Sequence, residues 1–364
     1  MTRPSQPLHT LADSLPKLRV DYFLVTHSPN IRYLCGFTGS AGALLVSGGG
    51  SVFFTDGRYT SQAREQVQGA SVQIEKRSPV MAAAGWLQGK RSAKRLGIEA
   101  DHLTVASEAR LRSLLPKPWR LVPLSGTVAR QRIIKDAAEI ELVRQAVNLG
   151  SSLFPSLIKT IRPGVPETTV AAKLEYAARQ AGAEGMSFDT IVAAGPRSAL
   201  PHGRASAAPI PRHGFVVLDF GVILAGYCSD MTRTVAVGSP SAVERGWYDA
   251  VLDTQLAGIE AFRPGVTAGD VDLASRKVLK RSKLAKYFTH STGHGVGLEI
   301  HESPRLAAGE TTVLEPGMVL TIEPGVYIPG RGGVRIEDMI LVTKTGCEIL
   351  TPTTKDLITI PRSA

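Results

Sequence analysis

The sequence predicts an α+β protein in two parts: an N-terminal α/β domain over residues 1–130, then a larger pseudo-symmetric domain over residues 131–364. Three observations predict it. Up to about residue 130, short apolar runs alternate with helix-like segments. IRPGV at 161–165 recurs as FRPGV at 262–266, and each copy leads through a helix-like segment to a Gly-x-Val strand that ends in an acid. A chain of 364 residues also exceeds one ordinary core.

Composition narrows the function classes. With 43% apolar and 20% charged residues, the chain has the make-up of a globular domain. No apolar run reaches the 18 or so residues of a membrane helix. The start, MTRPSQPLHTLADSLP, lacks the apolar centre of a signal peptide, so the cytoplasm is the expected location. Cys35, Cys228 and Cys347 are isolated and odd in number, which argues against structural disulfides. The net charge of +10 raises nucleic-acid binding. The basic residues are scattered, however, apart from Lys90, Arg91, Lys94 and Arg95 and a second group at 276–286, and they read as solvated faces.

In the first domain, VDYFLVTH (20–27) is an apolar run with polar flanks, a buried strand. ALLVS (43–47) and SVFFTD (51–56), joined across Gly48–Gly50, form a hairpin. TSQAREQV (60–67) is helical, and SVQIEK (71–76) and RLGIEA (95–100) are strands. SEARLRSLL (107–115) is a helix with Ser107 as its expected cap. The glycine-rich GFTGSAG (36–42) lacks the GxxxxGK[ST] pattern of a phosphate loop. Within TDGRY (55–59), Asp56 and Arg58 read either as a structural pair at a turn or as pocket residues. The boundary falls near Arg130. Beyond it Asp136-x-x-Glu139 is a capping box, and Ile140, Val143 and Val147 follow at helical spacing, with Gly150 after them.

The second domain repeats itself. After IRPGV and FRPGV come the helix-like segments 166–180 and 268–280. The strand GFVVLDFG then carries Asp219, and GMVLTIEPG carries Glu323. A second acid follows each: Asp230 after Asp219, and Glu337 after Glu323. Those gaps fit a hairpin that returns its second strand beside the first. Each half thereby offers two carboxylates to a shared centre, from strands that hold ligands rigidly.

Asp219 and Glu323 close apolar strands, where a carboxylate is costly unless paired or metal-bound. His294 lies in TGHGVG, where flanking glycines leave room for a metal at the ring. Four hard carboxylates and one imidazole suit two divalent ions such as Mn²⁺, Co²⁺ or Zn²⁺. Two ions about 3.5–4 Å apart can share a bridging hydroxide and hydrolyse an amide. Outside this shell stand His202 in ALPHGRAS, His290, and His301 in HESP. Each reads either as a hydrogen-bonded loop residue or as a donor to a tetrahedral oxyanion. Glu323 is the expected proton shuttle to the leaving nitrogen. Arg335 shares a strand face with Glu337, and either orients a carboxylate or balances local charge. Tyr327 and Tyr227 are candidate pocket walls, and Arg305 is a candidate cation for a substrate carboxylate.

These motifs resemble the pita-bread metallopeptidases, which include methionine aminopeptidase, aminopeptidase P and prolidase. The resemblance spans 131–364, and all five ligand positions match: Asp219, Asp230, His294, Glu323 and Glu337. PHG (201–203), HESP (301–304) and RIED (335–338) resemble the proline-specific branch, where His202, His301 and Arg335 match positions that contact substrate or support catalysis. The first domain resembles the creatinase-like N-terminal domain of that branch, and GFTGSAG and TDGRY look most like cytosolic aminopeptidase P. The resemblance implies a homodimer with two divalent ions per subunit, manganese foremost. It also implies peptide substrates with proline at the second position. An Xaa-Pro aminopeptidase is the expected activity. Prolidase is the near alternative, with Arg305 or Arg58 taking the dipeptide carboxylate, and a non-catalytic peptide-binding module is the distant one.

Overall fold

A computed structural model describes residues 6–90 and 94–362; Arg91 of the first basic group lies outside them. The chain divides into two compact units, 1–132 and 133–364. The break falls two residues past the expected one. Arg132 donates through Nη1 to the Asn30 side chain at 2.7 Å, within the first unit. Ile134 instead bridges to Met318 in the second.

The first unit runs α1 (Gln6–Leu18), β1 (Tyr22–Val25), α2 (Ser28–Cys35), β2 (Ala43–Ser47), β3 (Ser51–Asp56), α3 (Thr60–Gln66), β4 (Ala70–Glu75), α4 (Pro79–Gln88), β5 (Arg95–Glu99), α5 (Val105–Leu114), β6 (Arg120–Leu124) and α6 (Ala129–Arg132). Its six strands form one sheet in the order β4-β3-β2-β1-β5-β6. The β2–β3 hairpin is antiparallel, and its turn ends at Gly50 with φ +118°, a backbone that only glycine adopts cheaply. Leu24, Phe54, Leu96 and Leu111 are among the apolar residues buried between sheet and helices. The cap of α5 is Thr104, not Ser107: the Thr104 hydroxyl accepts from the Ser107 amide, so the helix begins earlier than expected. Both residue types cap well, and the one further upstream takes the role. Asp56 and Arg58 form a bidentate pair at 2.8 and 2.9 Å.

In the second unit, Asp136 and Glu139 make the full reciprocal capping box, which opens α7 (Ala137–Ile158). The helix continues through Gly150, where a Cβ would stand 3.2 Å from the Ser229 hydroxyl; that glycine permits close packing rather than ending the helix. The first half continues with α8 (Glu167–Gln180), β7 (Gly185–Met186), β8 (Ile191–Ala194), β9 (Gly214–Phe220), β10 (Val222–Leu224), β11 (Tyr227–Cys228) and β12 (Met231–Val237). The second half has α9 (Ala242–Ala261), α10 (Ala268–Arg281), β13 (Gly293–Gly295), β14 (Glu302–Leu306), β15 (Val319–Ile322), β16 (Gly325–Ile328), β17 (Gly332–Arg335), β18 (Asp338–Val342), β19 (Cys347–Ile349) and β20 (Thr359–Ile360).

The repeat is visible in the sheets. Beside the small sheets β11-β10-β7 and β16-β17, one large sheet holds β20-β12-β9-β8 and a second holds β14-β13-β15-β18-β19. Each therefore contains an antiparallel core, β8-β9-β12 or β13-β15-β18, preceded by two helices. Each half buries its own cluster: Val170, Leu174, Val216 and Leu218 in the first, Val271, Leu306, Leu320 and Ile322 in the second.

Candidate metal centre

In both halves a small hairpin leaves the sheet and returns to it, and the acids stand at its two feet. Asp219 lies near the end of β9, opposite Thr232 of β12, with Asp230 just before β12. Ile322 of β15 pairs with Asp338 of β18, which sets Glu323 and Glu337 immediately beyond the paired ends. His294 lies on β13, the neighbour of β15. Its flanking glycines have a different reason from the one expected. A Cβ at Gly293 would stand 2.1 Å from the Thr321 carbonyl oxygen, and one at Gly295 would stand 2.5 Å from that of Ser303. They let three strand backbones approach one another, rather than clearing space around the ring.

All five side chains line one cavity of about 970 Å³. Asp230, His294 and Glu337 each present a ligand atom within 4.8 Å of the others. The His294 Nε2 is 3.5 Å from Glu323 Oε1 and 3.6 Å from Asp230 Oδ2. Electrostatics show what this cluster lacks. Burial first, then repulsion from the other carboxylates, pushes Asp230 and Glu337 well above the ordinary carboxylate range, and burial pushes Glu323 up to about 8. Burial likewise pulls His294 down to about 4, leaving a neutral imidazole with a lone pair to offer. Asp219 Oδ1 and Asp230 Oδ1 are buried and, among the described residues, accept no hydrogen bond. Orphaned buried acceptors, crowded acids and a neutral imidazole form a donor set that a divalent cation satisfies.

Arg335 is the cation already present. Its Nη2 donates to Asp219 Oδ2 at 2.5 Å, its Nη1 to the Tyr327 hydroxyl and the Pro201 carbonyl, and its Nε to Thr232 Oγ1. It orients a carboxylate. His202, His290, His301 and Arg305 line the cavity as well. The His301 ring stands 4.4 Å from the His294 ring, and burial and nearby His202 hold it below its usual pKa. Two expected wall residues stand elsewhere. Tyr327 lies behind His290 and Arg335, with its hydroxyl bonded to both, and is not part of the wall. Tyr227 donates to the buried Glu139 at 2.8 Å.

Sequence reasoning missed three supports. Thr232 donates to Glu337 Oε2 at 2.7 Å; it sits two residues after Asp230 in a strand register that faces the same way, a signal present in the sequence. Arg233 donates to the Glu337 carbonyl at 2.5 Å and pairs with Asp338, tying the first half to the second. Lys135 forms a buried ion pair with Glu302, beside His301.

Fold and site together define a two-domain metallopeptidase of the pita-bread class. The chain belongs to Metallopeptidase family M24, whose family model matches residues 141–344, and the Creatinase/Prolidase N-terminal domain matches residues 8–134. An Xaa-Pro dipeptidase of Pyrococcus horikoshii is 38% identical over 97% of this chain and 99% of its own. The structure of an Xaa-Pro dipeptidase from Bacillus anthracis superposes with a TM-score of 0.94 at 41% identity, covering 98% of this chain and 99% of that one. That of an X-Pro aminopeptidase from Thermotoga maritima gives 0.88 at 33% identity, covering 96% and 100%.

Proposed function

We propose that this metallopeptidase is an Xaa-Pro dipeptidase that hydrolyses the bond between the first residue and a C-terminal proline. GFTGSAG and TDGRY point instead to an Xaa-Pro aminopeptidase. The Xaa-Pro dipeptidases matched along nearly the whole chain, at 38% and 41% identity against 33% for the X-Pro aminopeptidase, support the dipeptidase. One observation carries the reading: Arg305 lines the cavity and, among the described residues, pairs with no carboxylate. Among the described residues its only side-chain bond is a long one, 3.4 Å to the Ser291 hydroxyl. A guanidinium left free in a substrate cavity suits the terminal carboxylate of a dipeptide. The cavity, about 970 Å³, supports the second reading, because it has room for more than two residues.

Asp219, Asp230, His294, Glu323 and Glu337 would hold two divalent ions, manganese first, with cobalt or zinc as alternatives. Bound there, the ions supply an acidified water and polarise the scissile carbonyl. Glu323 takes the proton of the attacking water and returns it to the prolyl nitrogen. His301 and His202 donate to the developing oxyanion and to the proline carboxylate. Phe188, Ile191 and Pro201 supply apolar wall. Arg335 keeps Asp219 in place. A homodimer in the cytoplasm belongs to the same reading.

Ala-Pro and Ala-Pro-Ala, each supplied with Mn²⁺ and Co²⁺, separate the alternatives. The dipeptide should show the larger kcat/KM, and Arg305→Met should raise its KM while changing that of the tripeptide little. Preference for the tripeptide would establish the aminopeptidase instead.

A further inference from the structure

His290 belongs to a hydrogen-bond chain whose direction the geometry settles. Its Nδ1 lies 2.7 Å from the Ser291 carbonyl oxygen, which can only accept, so Nδ1 carries a proton. The Tyr327 hydroxyl has one proton and two neighbours. Arg335 Nη1 can only donate, and it approaches that oxygen at 2.7 Å. The tyrosine proton therefore points to His290 Nε2, 2.8 Å away, which accepts it. Burial pulls His290 down to about 4, consistent with a neutral ring. Both ring nitrogens are committed, so His290 offers a substrate no donor. What it presents to the cavity is a neutral imidazole surface, braced edge-on against Phe288 at 5.0 Å.

The segment bearing that ring is gripped from behind. Asp272 on α10 is 1% exposed and does not line the cavity. Its Oδ1 accepts from the Thr292 hydroxyl at 2.6 Å, and its Oδ2 accepts from Arg276 Nε at 2.8 Å. Arg276 passes the grip on: its Nη2 donates to the His290 carbonyl at 2.7 Å, and its guanidinium lies 4.4 Å from the Phe288 ring. The Thr292 carbonyl in turn accepts from the Glu323 amide at 2.8 Å. An ordinary i,i+4 helix pair sits in solvent and links nothing beyond the helix. In this one Asp272 is buried, Arg276 is half-buried over it, and together they hold the chain on both sides of His290.

We propose that Asp272 and Arg276 are a positioning pair that acts through His290. They fix residues 288–292 so that the imidazole, locked as its Nδ1–H tautomer, forms the wall against which the substrate's proline ring packs. The kinetic half of this proposal rests on the Xaa-Pro reading above; the tautomer half does not.

The test uses the full-length enzyme labelled with ¹⁵N-histidine, with the His290 resonances assigned among the eight histidines by loss in His290→Asn. Long-range ¹H–¹⁵N spectra should show His290 as the Nδ1–H tautomer. In Asp272→Asn, which cannot accept from both partners, tautomer-averaged signals are expected. KM for Ala-Pro should rise between about tenfold and about a hundredfold, the scale of a misplaced binding group, with Mn²⁺ affinity unchanged. Thr292→Ser should behave as wild type, whereas Thr292→Val should follow Asp272→Asn; the threonine pair carries the test if Asp272→Asn does not fold. In a His290→Asn background, Asp272→Asn should cost no further KM. An unchanged tautomer in both Asp272→Asn and Thr292→Val overturns the proposal, and so does an equal cost in the two backgrounds. If wild type cleaves no Xaa-Pro peptide, the assigned activity falls while the spectra still decide the clamp.

Discussion

Removing one buried hydroxyl should loosen the metal centre without touching a ligand. Thr232 is fully buried; its Oγ1 donates to Glu337 Oε2 at 2.7 Å and accepts from Arg335 Nε at 3.0 Å. Thr232→Val keeps the shape and deletes both bonds. A hydrogen bond to a charged group is worth about 1.5–3 kcal/mol and a neutral one about 1 kcal/mol, so the metal-free protein should lose about 2.5–4 kcal/mol. The larger effect is on binding. With its proton donor gone, Glu337 is free to rotate, and losing a support of this kind costs about 10–100-fold in metal affinity. Titration calorimetry of Mn²⁺ into chelator-stripped protein reads that number, and denaturant unfolding of the stripped protein reads the other. Thr232→Ser, which retains the hydroxyl, should bind within about threefold of wild type. Equal Mn²⁺ affinity in the valine variant and wild type would refute the claim that this hydroxyl holds Glu337.

Glu323→Gln should lower turnover of Ala-Pro by about 10²–10⁴-fold, the usual weight of a general acid–base, while calorimetry still finds Mn²⁺ bound; turnover retained with metal bound rejects the shuttle. Burial pushes the Cys35 thiol from 9.0 up to about 12, a loss of about a thousandfold in thiolate at neutral pH. An aromatic disulfide reagent should therefore reach the half-buried Cys347 first, and Cys35 only after unfolding; native labelling of Cys35 by peptide mapping contradicts this.

What the sequence disclosed follows the physics of each signal. ALLVS and SVFFTD fold as the strands their β-branched and aromatic residues suggest, because a glycine turn leaves them few other arrangements. Asp219 and Glu323 were legible because an acid that closes an apolar strand is anomalous in any soluble protein; Asp230 and Glu337 followed as the second acid of each repeat, and His294 from its glycine-flanked place between the two acid pairs. Hydroxyls and arginines give no such anomaly. For Thr232 the sequence offers only its place two residues after Asp230, and Asp272 meets Thr292 twenty residues on only because α10 packs beside that segment. The TGHGVG glycines could be read as freeing the imidazole, because strand-to-strand clearance is a tertiary quantity. Tyr327 shows the same limit: proximity in sequence to Glu323 places it near the centre, but only the tertiary fold puts Arg335 and His290 in front of it.

The twin halves are used unequally, and the register shows where. Gly295 pairs with Leu320, which sets His294 opposite Thr321, two residues before Glu323. In the first half, the residue opposite the position two before Asp219 is Ala193, paired with Val217. The same strand position thus bears an imidazole in one half and a methyl group in the other. Two residues earlier on the same face of β8, Ile191 lines the cavity. Duplication accounts for four carboxylates placed in pairs, and the unpaired imidazole gives the centre a nitrogen donor on the second-half side alone. On the first-half side no imidazole stands at the matching position: Ile191 faces the cavity there, and His202 reaches it from a loop instead of from the strand.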